Sequence, residues 1–142
     1  FDHIYGINEL YRAFPNVLVY TSEYGKDALY SEKKNFSYYN EASLVFEGQN
    51  VVVQHSGDKV EICPGEYLNV LETPGHCPSC LSYYNDDFIF TGDSYIPDVP
   101  VVTKLPRGNK LQSIESVDKI RKLAETRHIF AGHDKVNWVN IF

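Results

Sequence analysis

Histidine and aspartate side chains follow several short hydrophobic runs of the sequence, at points where strands are expected to end. His76 lies in the turn after YLNVLE, Asp93 follows FIFT, and His133 lies two residues beyond HIFA. Asp2 and His3 directly precede the first predicted helix. Side chains on loops at strand ends can converge at one edge of a sheet, where a rigid scaffold presents them. Imidazoles and carboxylates are ligands for zinc, or for iron or manganese in a similar site.

Two cysteines form a Cys-x-x-Cys pair directly after His76. A thioredoxin-like redox role for Cys77 and Cys80 requires such a pair at a helix N-terminus in a βαβ setting, whereas here a predicted strand follows. A structural zinc site needs a second Cys or His pair at close spacing, and the sequence shows none. With Cys63 the cysteines number 3, an odd count that argues against a disulfide framework. This usage favours a reducing compartment, so we expect a cytoplasmic protein.

Hydrophobic periodicity and turn residues predict the elements that position these side chains. Residues 4–14 have helical spacing, and Pro15 ends that helix. A second helix follows Thr21 or Ser22 as its N-cap, and a third follows Ser113. Short strands are predicted at 17–20, 51–54, 59–62, 67–72, 80–84, 88–91 and 128–131. Helices and strands alternate at both ends around a strand-rich middle, which predicts an α/β protein with helices packed on sheets.

The composition narrows the class of protein further. A chain of 142 residues, 43% of them hydrophobic, fits one domain that spans residues 1–142. The net charge of −6, with Lys and Arg scattered, argues against nucleic acid as a partner. No apolar run approaches the roughly 20 residues that cross a bilayer, so no membrane partner is expected. Residues 31–50 are polar and rich in tyrosine, and no element is assigned to them.

Four segments resemble the metallo-β-lactamase superfamily in their order and spacing. They are FDHIYGI at 1–7, TPGHCPSC at 73–80, FTGDS at 90–94 and AGHD at 131–134. The first resembles the tail of the family's His-x-His-x-Asp-His signature, and the glyoxalase II-like hydrolases are the most similar branch. The resemblance implies an α/β fold, the four-layer αβ/βα sandwich of this superfamily. It also implies that the fold is N-terminally incomplete, with the first strands and two signature histidines expected before Phe1.

The resemblance implies a role for each candidate ligand. Asp2, His3 and His133 would hold one metal ion. Asp93 would bridge this ion to another, and His76 would bind the other ion together with the two upstream histidines. Asp2 would also orient the nucleophile, which makes it the implied catalytic residue. The implied cofactor is zinc, as one or two ions, with iron or manganese as alternatives.

The function that the resemblance implies is metal-dependent hydrolysis of a small-molecule thioester, ester or lactone by a metal-bound hydroxide. An iron-dependent sulfur or oxygen redox enzyme on the same fold is one alternative. A truncated or non-catalytic protein of the same fold is another. The expected partner is the small-molecule substrate, and self-association into a homo-oligomer is left open.

Overall fold

The computed structural model describes residues 2–40 and 42–133, and the chain divides into two compact units. The first unit runs to Gln54 and the second begins at His55. The prediction of a single domain over residues 1–142 stays a prediction. Within the described part of the chain, no helix is long and apolar enough to cross a membrane.

A parallel pair of strands with a helix between them organises the first unit. In chain order its elements are α1 (Ile7–Ala13), β1 (Val19–Thr21), α2 (Glu23–Leu29), a 3₁₀ turn (Ser37–Tyr39) and β2 (Val51–Val53). Strands β1 and β2 are parallel, and α2 begins the connection between them. Ser22 caps α2, because its hydroxyl accepts a hydrogen bond from the Gly25 amide at 3.1 Å.

Side-chain hydrogen bonds to the backbone hold the segment between α2 and β2, for which the sequence predicts no element. The Asn35 side-chain amide donates to the carbonyl of Ala28 at 3.1 Å and to that of Leu44 at 2.9 Å. Ser37 Oγ accepts from the Leu44 amide at 2.7 Å, and Leu44 and Phe46 are buried nearby in the chain. Such single contacts have no sequence period, which explains why a periodicity argument misses this segment.

A mixed five-stranded sheet organises the second unit, in the order β3-β4-β5-β6-β7. Its elements are β3 (Lys59–Cys63), β4 (Glu66–Glu72), β5 (Leu81–Tyr84), β6 (Phe88–Gly92), α3 (Lys110–Ala124) and β7 (His128–Ala131). Strands β3 to β6 are antiparallel to their neighbours, whereas β7 is parallel to β6. A parallel pair needs a crossover connection, and α3 supplies it. Strands β4, β6 and β7 therefore run in the same direction, and their carboxyl ends lie at the same edge of the sheet.

Three aliphatic side chains form the centre of the second unit. Val70 on β4, Ile89 on β6 and Ile120 on α3 are all but completely buried. Complete burial of one such side chain stabilises the folded state by roughly 1.5–3 kcal/mol. Ile120 thereby attaches α3 to the sheet, and the crossover that leads to β7 is fixed.

The predicted strands are confirmed, each to within two residues at either end. The predicted turn between β5 and β6 is also confirmed, because Asn85 Oδ1 accepts from the Asp87 and Phe88 amides at 3.0 and 2.8 Å. Helix α1 is shorter than predicted: it begins at Ile7, and Phe14 lies just beyond its end with 63% of its surface exposed. None of the residues of α1 is buried. The apolar residues that the sequence places on one face of this helix are therefore at most partly covered.

The prediction that Ser113 caps α3 is wrong. The helix begins at Lys110, and Asn109 is its N-cap, with Oδ1 accepting from the Gln112 amide at 3.1 Å. The backbone of Asn109 is extended, with φ −140° and ψ 113°, as is usual for an N-cap. Ser113 lies one turn into the helix and is buried. The apolar periodicity of α3 becomes regular only after its first turn, and this led to the later start.

The turn that follows β4 packs against the first turns of α3. Gly75 has φ +140°, and a Cβ atom there would lie 2.4 Å from both N and Cα of Ser113. The Asn109 amide donates to the Gly75 carbonyl at 2.8 Å, and Ser116 Oγ donates to the Pro74 carbonyl at 2.7 Å. The Thr-Pro-Gly sequence therefore has a packing role, since only glycine allows the helix to approach this closely.

Replacing Asn109 by alanine removes the cap of α3 and is expected to lower the free energy of unfolding by about 1 kcal/mol. Urea denaturation followed by far-UV circular dichroism measures the change. Ser113→Ala is the matched control, because it leaves the Asn109 cap in place, and a smaller loss is expected. A greater loss for Ser113→Ala than for Asn109→Ala would contradict the assignment of the cap.

Replacing Gly75 by alanine is expected to lower the free energy of unfolding by roughly 3 kcal/mol or more, because the methyl group meets backbone atoms of α3 and the positive φ is strained. Gly57→Ala is the control, since Gly57 has φ +96° and nothing within 4 Å of an added Cβ. That control isolates the backbone strain, about 1–2 kcal/mol. Equal losses in chemical denaturation would show that the close approach to α3 contributes nothing.

Candidate metal centre

The loops that follow β4, β6 and β7 carry His76, Asp93 and His133, and they leave the same edge of the sheet. Asp93 Oδ2 is close to both imidazoles: it lies 3.6 Å from His76 Nε2 and 3.5 Å from His133 Nε2. The Asp93 side chain is 17% exposed and that of His76 19%, whereas that of His133 is 55% exposed. The structure thus brings together three of the five predicted ligands, with His133 on the side open to solvent.

The imidazole of His76 is oriented by a backbone carbonyl. Its Nδ1 is 2.9 Å from the Val102 oxygen, and because a carbonyl can only accept, Nδ1 carries the hydrogen. In the neutral ring, Nε2 then presents a lone pair towards Asp93 Oδ2, which is itself an acceptor. A metal ion bound by both atoms would make this approach favourable. A metal-binding histidine usually donates its other N–H to such a carbonyl.

The chemistry of the donor atoms fits a divalent metal ion. Two Nε2 atoms and a carboxylate oxygen are ligands of zinc, and iron and manganese use the same types of donor. The tautomer that Val102 imposes on His76 leaves Nε2 available as a ligand. The residues present therefore fit the metal that the sequence resemblance implies.

A chain of buried hydroxyl groups joins the His76 loop to the Asp93 loop. Ser94 Oγ donates to the Thr73 carbonyl at 3.0 Å. Because that uses its one hydrogen, the 3.0 Å contact between Thr73 Oγ1 and Ser94 Oγ has Thr73 as donor. Ser82 Oγ on β5 then donates to Thr73 Oγ1 at 3.0 Å. All three side chains are buried, so each hydroxyl depends on the others for its hydrogen bonds.

Further backbone contacts join the Asp93 turn to the His133 loop. Thr91 Oγ1 donates to the Tyr95 carbonyl at 2.6 Å and closes the turn around Asp93. Gly92 has φ +52°, a left-handed conformation that glycine adopts without strain. The Gly132 amide donates to the Gly92 carbonyl at 2.9 Å. The next residue also has a positive φ, +57°, and this one is the candidate ligand His133.

Asp2 and His3 belong to the first unit, where both are exposed in the turns before α1. Their convergence with His133 on one metal ion stays a prediction, and so does the catalytic role of Asp2. Asp134, the last residue of the AGHD motif, lies outside the described residues.

Four groups that support the site were not identified from the sequence: Thr73, Ser82, Ser94 and the backbone carbonyl of Val102. Thr73 and Ser94 stand inside the TPGHCPSC and FTGDS motifs, but the sequence analysis gives neither a role. Val102 acts through its backbone carbonyl, so its residue type carries no signal. Ser94 directly follows Asp93 and Thr73 lies three residues before His76, and these positions were the one indication in the sequence.

The two cysteines of the His76 loop are in contact. Cys77 Sγ lies 3.1 Å from Cys80 Sγ and 3.0 Å from Ser79 Oγ. The hydrogen bond from Cys80 lowers the pKa of Cys77 to about 6, although partial burial opposes the shift. The same hydrogen bond, with burial, raises the pKa of Cys80. Strand β5 begins at Leu81, so the pair lacks the helix that a thioredoxin-like motif requires.

Two relatives match nearly the whole chain. Glyoxylase B2 of Dictyostelium discoideum is 30% identical over 137 residues, which cover 94% of this chain and 46% of the relative. A hydroxyacylglutathione hydrolase of Vibrio campbellii is 30% identical over 133 residues, which cover 94% of this chain and 44% of the relative. The chain therefore spans somewhat less than half the length of these relatives.

Solved structures show the same fold. The B3 metallo-beta-lactamase BLEG-1 superposes with a TM-score of 0.83 at 23% identity, covering 95% of this chain and 66% of that one. A second crystal structure, of a protein in a di-iron-bound form, has a TM-score of 0.78 at 18% identity and the same coverage. These likenesses confirm the predicted fold class, an α/β fold of the metallo-β-lactamase type.

A family model agrees with both kinds of likeness. The model that describes the metallo-beta-lactamase superfamily matches residues 1–133, nearly the whole chain. The match includes the segments on which the sequence resemblance rests, the last of them up to His133. The chain belongs to the metallo-β-lactamase superfamily.

Proposed function

We propose that the chain is part of a metal-dependent hydrolase that cleaves a small-molecule thioester, ester or lactone, with a thioester as the first candidate. The observation that carries the proposal is the approach of His76 Nε2 and His133 Nε2 to Asp93 Oδ2. The thioester is favoured because relatives at 30% identity are named glyoxylase B2 and hydroxyacylglutathione hydrolase. The chain spans less than half of their length, so the proposal concerns the protein of which this metal-binding segment is part.

The proposed cofactor is zinc, as one or two ions, with iron or manganese as alternatives. Asp93 would bridge the ions, since its Oδ2 lies close to two imidazoles. His76 would bind one ion, and His133 the other together with Asp2 and His3. The di-iron-bound form of a protein with the same fold supports iron as the first alternative to zinc.

The chemistry of the proposed reaction follows from the donor set. A divalent metal held by these residues would lower the pKa of bound water to roughly 7 and so would supply hydroxide at neutral pH. Val102 holds the imidazole of His76 in one tautomer, and the hydroxyl of Ser94 fixes the turn that presents Asp93. Asp2, exposed before α1, would orient the nucleophile.

An iron-dependent sulfur or oxygen redox enzyme is the second candidate, and the same donor set supports it. A non-catalytic protein of the same fold is the third. The nature of the bound metal separates the first two, and its absence would favour the third. We propose the cytoplasm as the compartment, from the odd number of cysteines. The proposed partner is the small-molecule substrate, and a homo-oligomer is left open.

The Asp93→Ala variant is expected to lose the metal, because Asp93 approaches both imidazoles. Loss of a residue that only orients a ligand already lowers metal affinity about 10- to 100-fold, and loss of a ligand should lower it further. Elemental analysis of metal per chain, before and after dialysis against a mild chelator, measures the loss. Asp87→Ala is the matched control, since Asp87 lies in the hairpin turn between β5 and β6. We expect near-stoichiometric zinc, iron or manganese in the unaltered protein and in the control. Full metal retention by Asp93→Ala would contradict the assigned centre.

The His76→Ala variant of the full-length protein is expected to lower kcat/KM for a hydroxyacyl thioester of glutathione by roughly 100-fold or more, because a ligand and its fixed orientation are lost. Release of the free thiol, followed with a thiol-reactive chromophore, measures the rate. His55→Ala is the matched control, because His55 is exposed and belongs to none of the four family motifs. Its loss should change the rate less than about twofold. No thiol release by a metal-loaded, unaltered protein would remove the thioester from the proposal and leave the ester and lactone to be tested in the same way.

A further inference from the structure

The Cys-x-x-Cys pair has a geometry that the proposed hydrolase does not use. The thiols of Cys77 and Cys80 are in contact, with their sulfur atoms 3.1 Å apart. Both cysteines are partly exposed, so small solutes can reach them. Neither sulfur belongs to the predicted ligand set, yet both lie in the loop that carries His76.

The backbone already holds these two residues at the separation that a disulfide needs. The Cys80 amide donates to the Cys77 carbonyl at 3.4 Å, which closes a turn with Pro78 and Ser79 at its centre. Ends of such a turn have Cα atoms less than about 7 Å apart, within the span of disulfide-bonded cysteines. A sulfur–sulfur bond is about 2.05 Å long, so side-chain movements of about 1 Å would bring the atoms into bonding distance.

The third cysteine has a different environment. Cys63 is exposed at the end of β3, on the strand at the far edge of the sheet, and β4 lies between it and β5. Like the pair, Cys63 is accessible to solvent. Unlike the pair, it has no second thiol beside it among the contacts of the described residues. This makes Cys63 an internal comparison for the reactivity of the pair.

We infer that Cys77 and Cys80 form a redox-active dithiol site, which a peroxide converts into a disulfide within the His76 loop. One thiol attacks the peroxide oxygen, breaks the O–O bond and becomes a sulfenic acid as water, or an alcohol from an organic peroxide, departs. The neighbouring thiol attacks that sulfur, forms the S–S bond and releases the sulfenic oxygen as water. The sulfurs lose two electrons, and the peroxide gains two. A dithiol reductant reverses the reaction by exchange through a mixed disulfide.

The experiment maps the disulfide in the full-length protein. Protein treated with hydrogen peroxide and untreated protein are denatured in excess iodoacetamide and digested with a protease that cleaves after glutamate. Cleavage after Glu72 and Glu115 places the pair on one peptide that lacks Cys63. We expect two alkyl groups on this peptide without peroxide. After peroxide we expect no alkyl group on this peptide, and a mass two hydrogens below that of the unalkylated dithiol peptide. Dithiothreitol added before iodoacetamide should restore alkylation.

Single substitutions separate the pair from the third cysteine. Cys77→Ser and Cys80→Ser should each lower the yield of the peptide with the internal disulfide by at least about tenfold, because each removes one of the two sulfurs that form the bond. Cys63→Ser should leave it unchanged and serves as the control. The unaltered protein alone already gives the decisive mass, so the test does not depend on the folding of a variant.

Three results would overturn the inference. The first is that both thiols remain open to alkylation after peroxide, or that they acquire oxygen atoms without joining. The second is that disulfides form only between chains. The third is protection from alkylation that a chelator removes without any reductant, since this would show that the thiols bind metal. The thiol readout is independent of hydrolase activity, so a failure here and a failure of the proposed function are distinguishable.

Discussion

Three hydroxyl groups, buried where the His76 and Asp93 loops meet, hold the candidate metal centre in its geometry. The chain from Ser82 to Thr73 to Ser94, and back to the Thr73 carbonyl, uses each hydroxyl hydrogen once. A buried polar group left without its hydrogen bond costs about 1–3 kcal/mol. Because each member depends on the next, loss of one leaves another unsatisfied, and the chain forms as a unit or not at all. The two loops cannot separate without breaking it.

The parallel pairing of β6 and β7 extends the same arrangement to a third loop. A sheet of antiparallel hairpins alone would place the ends of neighbouring strands at opposite edges. The crossover through α3 returns the chain so that β7 ends beside β6 and presents His133 near Asp93. The connection from β6 to α3 is long and without regular helix, and such connections are usually functional. Here it carries Val102, whose carbonyl orients His76.

Sequence patterns predict the elements of the second unit well, because its strands are short apolar runs bounded by glycine, asparagine and aspartate. The three ligands that the structure brings together were also predicted, since each stands two to four residues after such a run. Contacts made by single side chains to backbone groups were not predictable in this way. The Asn35 contacts order residues 31–50 without any period, and Asn109 rather than Ser113 caps α3. The tautomer of His76 depends on the backbone oxygen of Val102, which is distant in sequence, and the type of residue at 102 does not indicate this contact.

The positive φ of His133 has a consequence for how this sequence can change over time. A residue with a Cβ atom costs roughly 1–2 kcal/mol in a left-handed conformation, whereas glycine adopts it freely and asparagine more readily than most. Folding stability alone therefore favours glycine or asparagine at 133, and only the imidazole favours histidine. In a chain that no longer used the centre, the position would be free to take a residue that suits this backbone better. The backbone at this position is therefore kept in a conformation that the metal-binding side chain does not itself prefer.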